Sequence, residues 1–160
     1  MDEFDHKEVL RKWMRHAYAL ARQAGDNGDH PFSALLMING EVVLECLNTT
    51  HSGADATRHP ELDILRLGAN QFGQPALQSA TLIASTEPCA MCTGAIYWAG
   101  IKRLVFGCPT QWLASVASGR FVVPSRELLA RSTRPPEIIG PILPEEGLAV
   151  HQAYWPKMTT

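Results

Sequence analysis

The stretch that decides the fold is ATLIASTEPCAMCTGAIYWAGIKRLVFG, residues 80–107. Residues 79–85 are almost wholly apolar, which is typical of a short strand inside a sheet that is covered on both faces. Residues 87–100 predict a helix ended by Gly100, and residues 101–107 predict another apolar strand. Two cysteines, Cys89 and Cys92, stand at the start of the helix, directly after a proline.

Upstream of this stretch, the apolar spacing predicts a helix, a pair of strands and a second helix. Residues 4–24 carry apolar side chains at three- and four-residue steps, which indicates an amphipathic helix. Residues 32–40 and 41–48 predict two strands joined at Asn39-Gly40, a strong hairpin signal. Residues 59–70 predict a helix with Pro60 in its first turn, where proline is favoured.

Downstream, the pattern is weaker and several interpretations stay open. Helices are predicted for residues 110–119, 125–132 and 144–155, a strand or a loop for 120–124, and an extended segment for 136–143. Strands that alternate with helices indicate an α/β sandwich, with one sheet between two helical layers. We predict a single domain over residues 1–160, with a C-terminal helical tail from about residue 125.

Composition narrows the class of protein. Apolar residues make up 46% and charged residues 19% of the chain, as in ordinary globular proteins. The formal net charge of −2 gives no broad basic face for a nucleic-acid backbone. The acidic N-terminus has no apolar signal region, and the longest apolar run is far shorter than the roughly 20 residues that cross a bilayer. We therefore expect a cytoplasmic protein without a membrane partner, whose four cysteines are reduced thiols or metal ligands.

The two cysteines alone are compatible with a redox pair, a structural zinc site or a catalytic metal site. His59 and Glu61 stand at the start of another predicted helix, and they favour a metal site over a redox pair. His59, Cys89 and Cys92 together provide three ligands of the kinds that zinc favours. A structural zinc normally has four protein ligands, whereas a catalytic zinc keeps one position open, and no fourth cysteine or histidine stands at motif spacing. The pattern H-x-E … P-C-x-x-C is the signature of zinc-dependent base deaminases, in which the glutamate moves protons.

From about Pro31 to Gly107 the chain resembles the cytidine deaminase-like zinc deaminases. The resemblance is carried by HPFSALLMINGEVVLECLN (residues 30–48), TRHPELDILR (57–66) and STEPCAMCTGAIYWAGIKRLVFG (85–107). It is strongest to the branch that holds guanine deaminases, yeast-type cytosine deaminases and tRNA adenosine deaminases. The resemblance implies a three-layer α/β/α sandwich with a mixed central sheet of about five strands, and one zinc ion per chain.

The resemblance also implies roles for individual residues. His59, Cys89 and Cys92 would bind zinc, Glu61 would be the catalytic proton shuttle, and Asn48, Phe32 and His59 would border the substrate. Two positions depart from the family pattern: Pro60 stands between the histidine and the glutamate, and Ser33 replaces the usual glycine. The C-terminal residues His151, Tyr154 and Trp155 are candidates for a lid over the chain's own site or a partner's.

The expected reaction is hydrolytic deamination of a free nucleobase or nucleoside, with guanine or a related aminopurine ahead of cytosine or cytidine. A small-molecule substrate and a homodimer are expected, and a nucleic-acid partner is not. The alternatives are a tRNA or nucleic-acid adenosine deaminase, a non-catalytic zinc-stabilised binding module, and a redox protein. His30 and His51 are secondary candidates for the site, and the arginines at 120, 126, 131 and 134 are interpreted as a solvated face.

Overall fold

The computed structural model describes residues 3–156 of the chain, and its helices and strands alternate much as predicted. The helices are α1 (Glu3–Asp26), α2 (Pro60–Phe72), α3 (Gln74–Leu77), α4 (Ala90–Ala99), α5 (Thr110–Ala114), α6 (Ser125–Leu129) and α7 (Pro144–Tyr154). The strands are β1 (Ser33–Ile38), β2 (Glu41–Leu47), β3 (Thr81–Thr86), β4 (Arg103–Cys108) and β5 (Glu137–Ile139).

The five strands form one open mixed sheet in the order β2-β1-β3-β4-β5. Strand β1 is antiparallel to both β2 and β3, while β3, β4 and β5 run parallel to one another. The hairpin between β1 and β2 turns at Asn39 and Gly40, whose φ angles of 53° and 81° match a two-residue primed turn. The predicted α/β sandwich with a mixed five-stranded sheet is therefore confirmed.

Alternating side chains of the central strands face two different helical layers, as the period of two in a strand requires. Leu36, Leu82 and Leu104 pack in one core with Ile64 of α2 and Ile96 of α4. The neighbouring positions Leu35, Ile83 and Val105 pack in the other core with the apolar face of α1 and with Val150 of α7. The sheet is thus covered on both faces, which explains why every residue of β3 is buried.

Close contact between α1 and the sheet also anchors the C-terminal part of the chain. The hydroxyl of Tyr18 donates to the carbonyl oxygen of Ile142 at 2.8 Å, just before α7 begins. A Cβ atom on Gly107 of β4 would overlap the Tyr18 hydroxyl and the Ser85 carbonyl, so only glycine fits there. Helix α7 is held in this way against α1 and β4 of its own chain.

The weakly patterned last third differs in detail from the sequence prediction. Only the first five residues of the predicted helix 110–119 are helical, and residues 120–124 lie in a loop. Residues 137–139 of the extended segment form the edge strand β5 between α6 and α7. The prediction of one domain with a tail from about residue 125 stays a prediction. Among residues 3–156, no helix combines the length and apolar character needed to cross a bilayer.

Candidate active site

Three side chains from two separate segments meet at one point beside the sheet. The Nδ1 atom of His59 lies 3.7 Å from the Sγ atom of Cys89 and 3.5 Å from the Sγ atom of Cys92. All three ligand atoms lie within 4.8 Å of one another. A tetrahedral zinc with Zn–S bonds of about 2.3 Å and Zn–N bonds of about 2.0 Å separates nitrogen and sulfur ligands by about 3.5 Å. The donor set and its spacing therefore fit one zinc ion.

Local backbone structure aims these ligands at the same point. His59 is the extended residue directly before α2, and Pro60 occupies the first helical position. Cys89 is the extended residue directly before α4, and Cys92 lies in the first turn of that helix. Both helices thus direct their N-termini, with unpaired backbone N–H groups and partial positive charge, towards the two thiols.

One thiol of the pair is prepared to ionise. The pKa of Cys89 is lowered to about 4, first because the Cys92 thiol hydrogen-bonds to it and next because His59 does. The pKa of Cys92 is raised by the same shared hydrogen bond and by its complete burial. The pKa of His59 is raised, mainly by its hydrogen bond with Cys89. A thiolate is the form that binds a metal, so Cys89 is ready to do so near neutral pH.

A buried carboxyl group lies next to the three ligands. The side chain of Glu61 is only 5% exposed, and its Oε2 atom lies 3.8 Å from the Sγ atom of Cys92. Burial raises the pKa of Glu61 to about 7. A carboxyl group with such a pKa can both accept and release a proton near neutral pH. The predicted catalytic residue and the predicted metal ligands therefore form one cluster.

A small cavity of about 30 Å³ adjoins this cluster. It is bordered by Phe32, His59, Glu61, Glu87, Cys89, Thr110, Leu113, Arg120 and Phe121. Its volume suits about two water molecules and is too small for a nucleobase. A larger groove of about 550 Å³ lies near Leu10 and Ile142, but its lining includes none of the three metal ligands. The chemistry therefore identifies the smaller cavity as the candidate active site.

Two of the three predicted substrate-bordering residues line this cavity. Phe32 and His59 border the cavity directly, whereas Asn48 does not. Asn48 is 2% exposed, and its Oδ1 atom accepts backbone N–H groups from Thr50 at 3.0 Å and His30 at 3.4 Å. That amide therefore shapes the loop after β2, the turn role that asparagine often has. The substrate contacts of all three residues stay predictions.

Comparison with known proteins identifies the family. Residues 7–108 match the family described as "Cytidine and deoxycytidylate deaminase zinc-binding region". The chain belongs to this family. The match accords with the His59, Cys89 and Cys92 group that could hold one zinc.

Two relatives and one solved structure are similar to this deaminase-family chain over most of its length. The chain is 34% identical to the probable cytosine deaminase of Schizosaccharomyces pombe over 159 residues, which is 96% of this chain and 95% of the relative. It is 36% identical over 107 residues to the tRNA-specific adenosine deaminase of Agrobacterium fabrum, covering 67% of this chain and 70% of that protein. A solved guanine deaminase from Nitrosomonas europaea has the same fold, with a TM-score of 0.77, 21% identity, and coverage of 88% of this chain and 81% of the solved chain.

Of the three C-terminal lid candidates, His151 and Trp155 lie near the candidate site of this deaminase-family chain, whereas Tyr154 borders a separate groove with Gly25 and Pro31. His151 is 1% exposed, and its Nε2 atom lies 2.7 Å from the Thr86 hydroxyl oxygen. Burial lowers the pKa of His151 to about 4, so it is neutral near pH 7. The indole N–H of Trp155 donates to Nδ1 of His151 at 3.1 Å. His151 is therefore part of the interior, while Trp155 lies next to the imidazole of His30, with ring centroids 5.2 Å apart.

Glu87 is a site residue that the sequence interpretation missed. It is buried, and its Oε1 atom accepts the backbone N–H of Thr110 at 3.0 Å. Its Oε2 atom accepts the backbone N–H of Ser125 at 2.9 Å and the hydroxyl of the same serine at 2.8 Å. The Glu87 carboxylate thus holds both ends of the segment 110–125. Because Glu87 precedes Cys89 by two positions, this segment is fixed close to the predicted metal ligands. The only sequence signal was an acidic residue between an apolar strand and PCxxC.

Replacing Glu87 by alanine is expected to lower the free energy of unfolding by about 2–5 kcal/mol, because three buried donors lose their acceptor. Urea unfolding of the zinc-loaded protein measures this difference. The matched control is Glu127→Ala, at an exposed acid on α6, which should change the free energy of unfolding by less than about 0.5 kcal/mol. Equal stability of the two variants would contradict the role assigned to Glu87.

Proposed function

We propose that the protein is a zinc-dependent hydrolytic deaminase of a free nucleobase or nucleoside. The observation that carries the proposal is the buried Glu61 carboxyl group, which borders one cavity with His59 and Cys89 and lies 3.8 Å from the Sγ atom of Cys92. A site that only stabilised the fold would have no need for a buried acid there, since an unpaired buried carboxylate is costly. This distinguishes the proposal from a non-catalytic zinc-stabilised binding module.

The proposed roles follow from the chemistry of the side chains. His59, Cys89 and Cys92 hold one zinc ion per chain. Bound zinc supplies Lewis acidity, which activates a water molecule for attack on a ring carbon. Glu61 accepts one proton of the attacking water at a carboxylate oxygen and delivers it to the ring nitrogen; the second proton, from the hydroxyl group formed on the ring carbon, then passes through the same carboxylate to the leaving amine. One water is consumed, the carbon–nitrogen bond breaks, and the products are a carbonyl and ammonia.

A small heterocycle is the proposed substrate. The relative that matches nearly end to end is named a probable cytosine deaminase, and the Nitrosomonas europaea protein with the same fold is a guanine deaminase. Both names point to a free base, and Phe32 offers an aromatic ring at the cavity for it to stack on. The ranking of guanine ahead of cytosine stays a prediction.

A second candidate is deamination of adenosine in tRNA. The Agrobacterium fabrum relative, named a tRNA-specific adenosine deaminase, favours it because it covers 67% of this chain. A tRNA enzyme needs a basic docking surface, however, and the whole chain carries a formal net charge of −2. We therefore place the small-molecule substrate first.

Ammonia release from the zinc-loaded protein tests the proposal. The panel is guanine, adenine, cytosine and their nucleosides, with an unmodified tRNA transcript added for the second candidate. The blank is Glu61→Ala. Turnover of one base or nucleoside that vanishes in the blank supports the proposal. Turnover of the transcript alone favours the second candidate, and no turnover of any compound contradicts both.

We also propose that the protein acts as a cytoplasmic single-domain homodimer. The exposed face of α4 supports the dimer, because Met91 and Trp98 lie seven residues apart on the same side of that helix and are 41% and 82% exposed. Gly94, between them, has open space beside it. An exposed apolar helix face of this kind suits burial against a second copy.

The substitution Trp98→Lys is expected to convert the dimer to a monomer, since tryptophans at the centre of interfaces often provide much of the binding energy. Size-exclusion chromatography with light scattering gives the mass directly. Phe72→Lys, at a 40% exposed aromatic on the last turn of α2, serves as the matched control and should remain dimeric. A monomeric wild type, or a dimeric Trp98→Lys variant, would contradict this interface.

A further inference from the structure

The guanidinium group of Arg120 borders the candidate active site. It lies in the loop between α5 and α6, and its side chain is half-buried. The Cζ atom lies 5.6 Å from the ring centroid of Phe32 and 6.0 Å from that of Trp155, both within the range of cation–π attraction. The sequence alone suggested a solvated arginine, whereas the structure brings it to the same cavity as Glu61 and Cys89.

Arg120 has hydrogen-bond donors but no acceptor in the described part of the chain. Within residues 3–156, no carboxylate pairs with it and no oxygen accepts a hydrogen bond from it. Arg126 offers a contrast, because its guanidinium donates to the carbonyl oxygens of Ile138 and Gly140 at 3.1 and 3.2 Å. A guanidinium presents five N–H donors and no acceptor, so only an oxygen or nitrogen lone pair can satisfy Arg120.

Glu61 and Glu87 border the same cavity as Arg120, but among the ion pairs of the described residues neither carboxyl group contacts its guanidinium. Burial lowers the pKa of Arg120, and the negative charge of the Cys89 thiolate acts against this effect. The imidazoles of His30 and His151 both have lowered pKa values, first through burial and further through Arg120 or neighbouring imidazoles. They are therefore neutral near pH 7.

Arg120 covers the aromatic ring that borders the cavity. The cavity of about 30 Å³ does not hold a nucleobase while the guanidinium lies over Phe32. A base that stacks on Phe32 would take the place of the guanidinium on that ring. Glu87 fastens both ends of the segment that carries Arg120, through Thr110 and Ser125. The segment would therefore keep the displaced guanidinium near the cavity, within reach of an edge of the base.

We propose that Arg120 is a specificity-determining residue that selects heterocycles carrying an exocyclic carbonyl oxygen in addition to the amine that leaves. The substrate class is the amino-oxo heterocycles, such as guanine and cytosine, and heterocycles without the oxygen are disfavoured. A substrate oxygen replaces the lost aromatic contact with a hydrogen bond from a charged donor. This inference rests on the proposed function, because it names the substrate class of the same site.

Two pairs of bases test the contribution of the oxygen. Guanine differs from 2-aminopurine, and cytosine from 4-aminopyrimidine, by the carbonyl oxygen and the neighbouring ring N–H, and of these two groups only the oxygen can accept a hydrogen bond from Arg120. The substitution Arg120→Met keeps a long flexible side chain but removes every donor. It is expected to lower kcat/KM for the oxygen-bearing member of a pair by about 10- to 100-fold, the range for a hydrogen bond to a charged group, and for the other member by less than about 3-fold. Arg134→Met removes an exposed arginine and should alter neither value.

Binding of the same four bases to the zinc-loaded Glu61→Gln protein, by calorimetry, provides a readout that does not depend on turnover. An oxygen preference that disappears when Arg120→Met is added supports the inference. An equal loss for both members of each pair, or an unchanged preference, overturns it. A protein that binds with an Arg120-dependent preference but deaminates none of the four bases contradicts the proposed function and still supports the inference.

Discussion

Glu61→Gln is expected to lower kcat by about 10²- to 10⁴-fold while the zinc content stays at one ion per chain. Glutamine has the same shape as glutamate but cannot shuttle a proton between water, ring nitrogen and amine. The substitution should not destabilise the fold, because burial has already raised the pKa of Glu61 to about 7 and the ionised form is disfavoured there. Steady-state ammonia release, measured together with metal content, checks both parts of this expectation.

The control for this experiment is Glu41→Gln, an exposed acid at the start of β2 that should leave kcat unchanged. Glu61→Gln protein that is as active as the wild type would remove Glu61 from the proton path. A variant that loses its zinc would instead show that the carboxyl group supports the metal site, and the kinetic comparison would then need Glu61→Asp.

The second large effect is expected for Cys92→Ala, which should lose both zinc and activity. Cys92 is completely buried in the first turn of α4, and its replacement by alanine leaves only two of the three predicted metal ligands. Changes beyond the direct ligands of a zinc site typically weaken affinity by about 10- to 100-fold, and removal of a ligand should exceed that range. We expect ammonia release to fall to the level of the blank.

Elemental analysis after dialysis against a weak chelator measures the zinc that each protein retains. Cys46→Ala is the matched control, because Cys46 is a half-buried thiol on β2 outside the ligand group and should keep one zinc per chain. Retention of zinc by Cys92→Ala would exclude Cys92 from the ligand set. A Cys92→Ala protein that loses its zinc but keeps full activity would contradict the proposed role of the metal. That result would favour the interpretation of the two cysteines as a redox pair.

The Glu61→Gln and Cys92→Ala variants also distinguish a deaminase from a non-catalytic zinc-stabilised binding module. A zinc-stabilised binding module predicts that Cys92→Ala unfolds more easily and that Glu61→Gln has no functional effect. A deaminase predicts that both lose turnover and that only Cys92→Ala loses metal. Glu61 and Cys92 lie in contact, with 3.8 Å between Oε2 and Sγ, yet they have different assigned roles. Glu61 is assigned to proton transfer and Cys92 to metal binding, so the two substitutions test the two roles separately.

By itself, the sequence determined the elements whose signals are local. The apolar period of α1, the Asn39-Gly40 turn and the apolar strands β3 and β4 each follow from neighbours within a few residues. The HxE and PCxxC patterns were equally readable, because each depends on the start of one helix. Their chemistry could be assigned before any contact was known, since few sites other than a metal centre combine those residue types.

Only the tertiary structure decided which distant residues share the site. His59 and Cys89 are 30 positions apart and meet because α2 and α4 begin at the same side of the sheet. Glu87 and Arg120 have no local pattern that marks them, because their roles depend on loop ends and aromatic rings contributed by other parts of the chain. A local sequence pattern predicts a helix or a ligand pair, whereas the partners of a buried carboxylate or an unpaired guanidinium are fixed only when the chain packs.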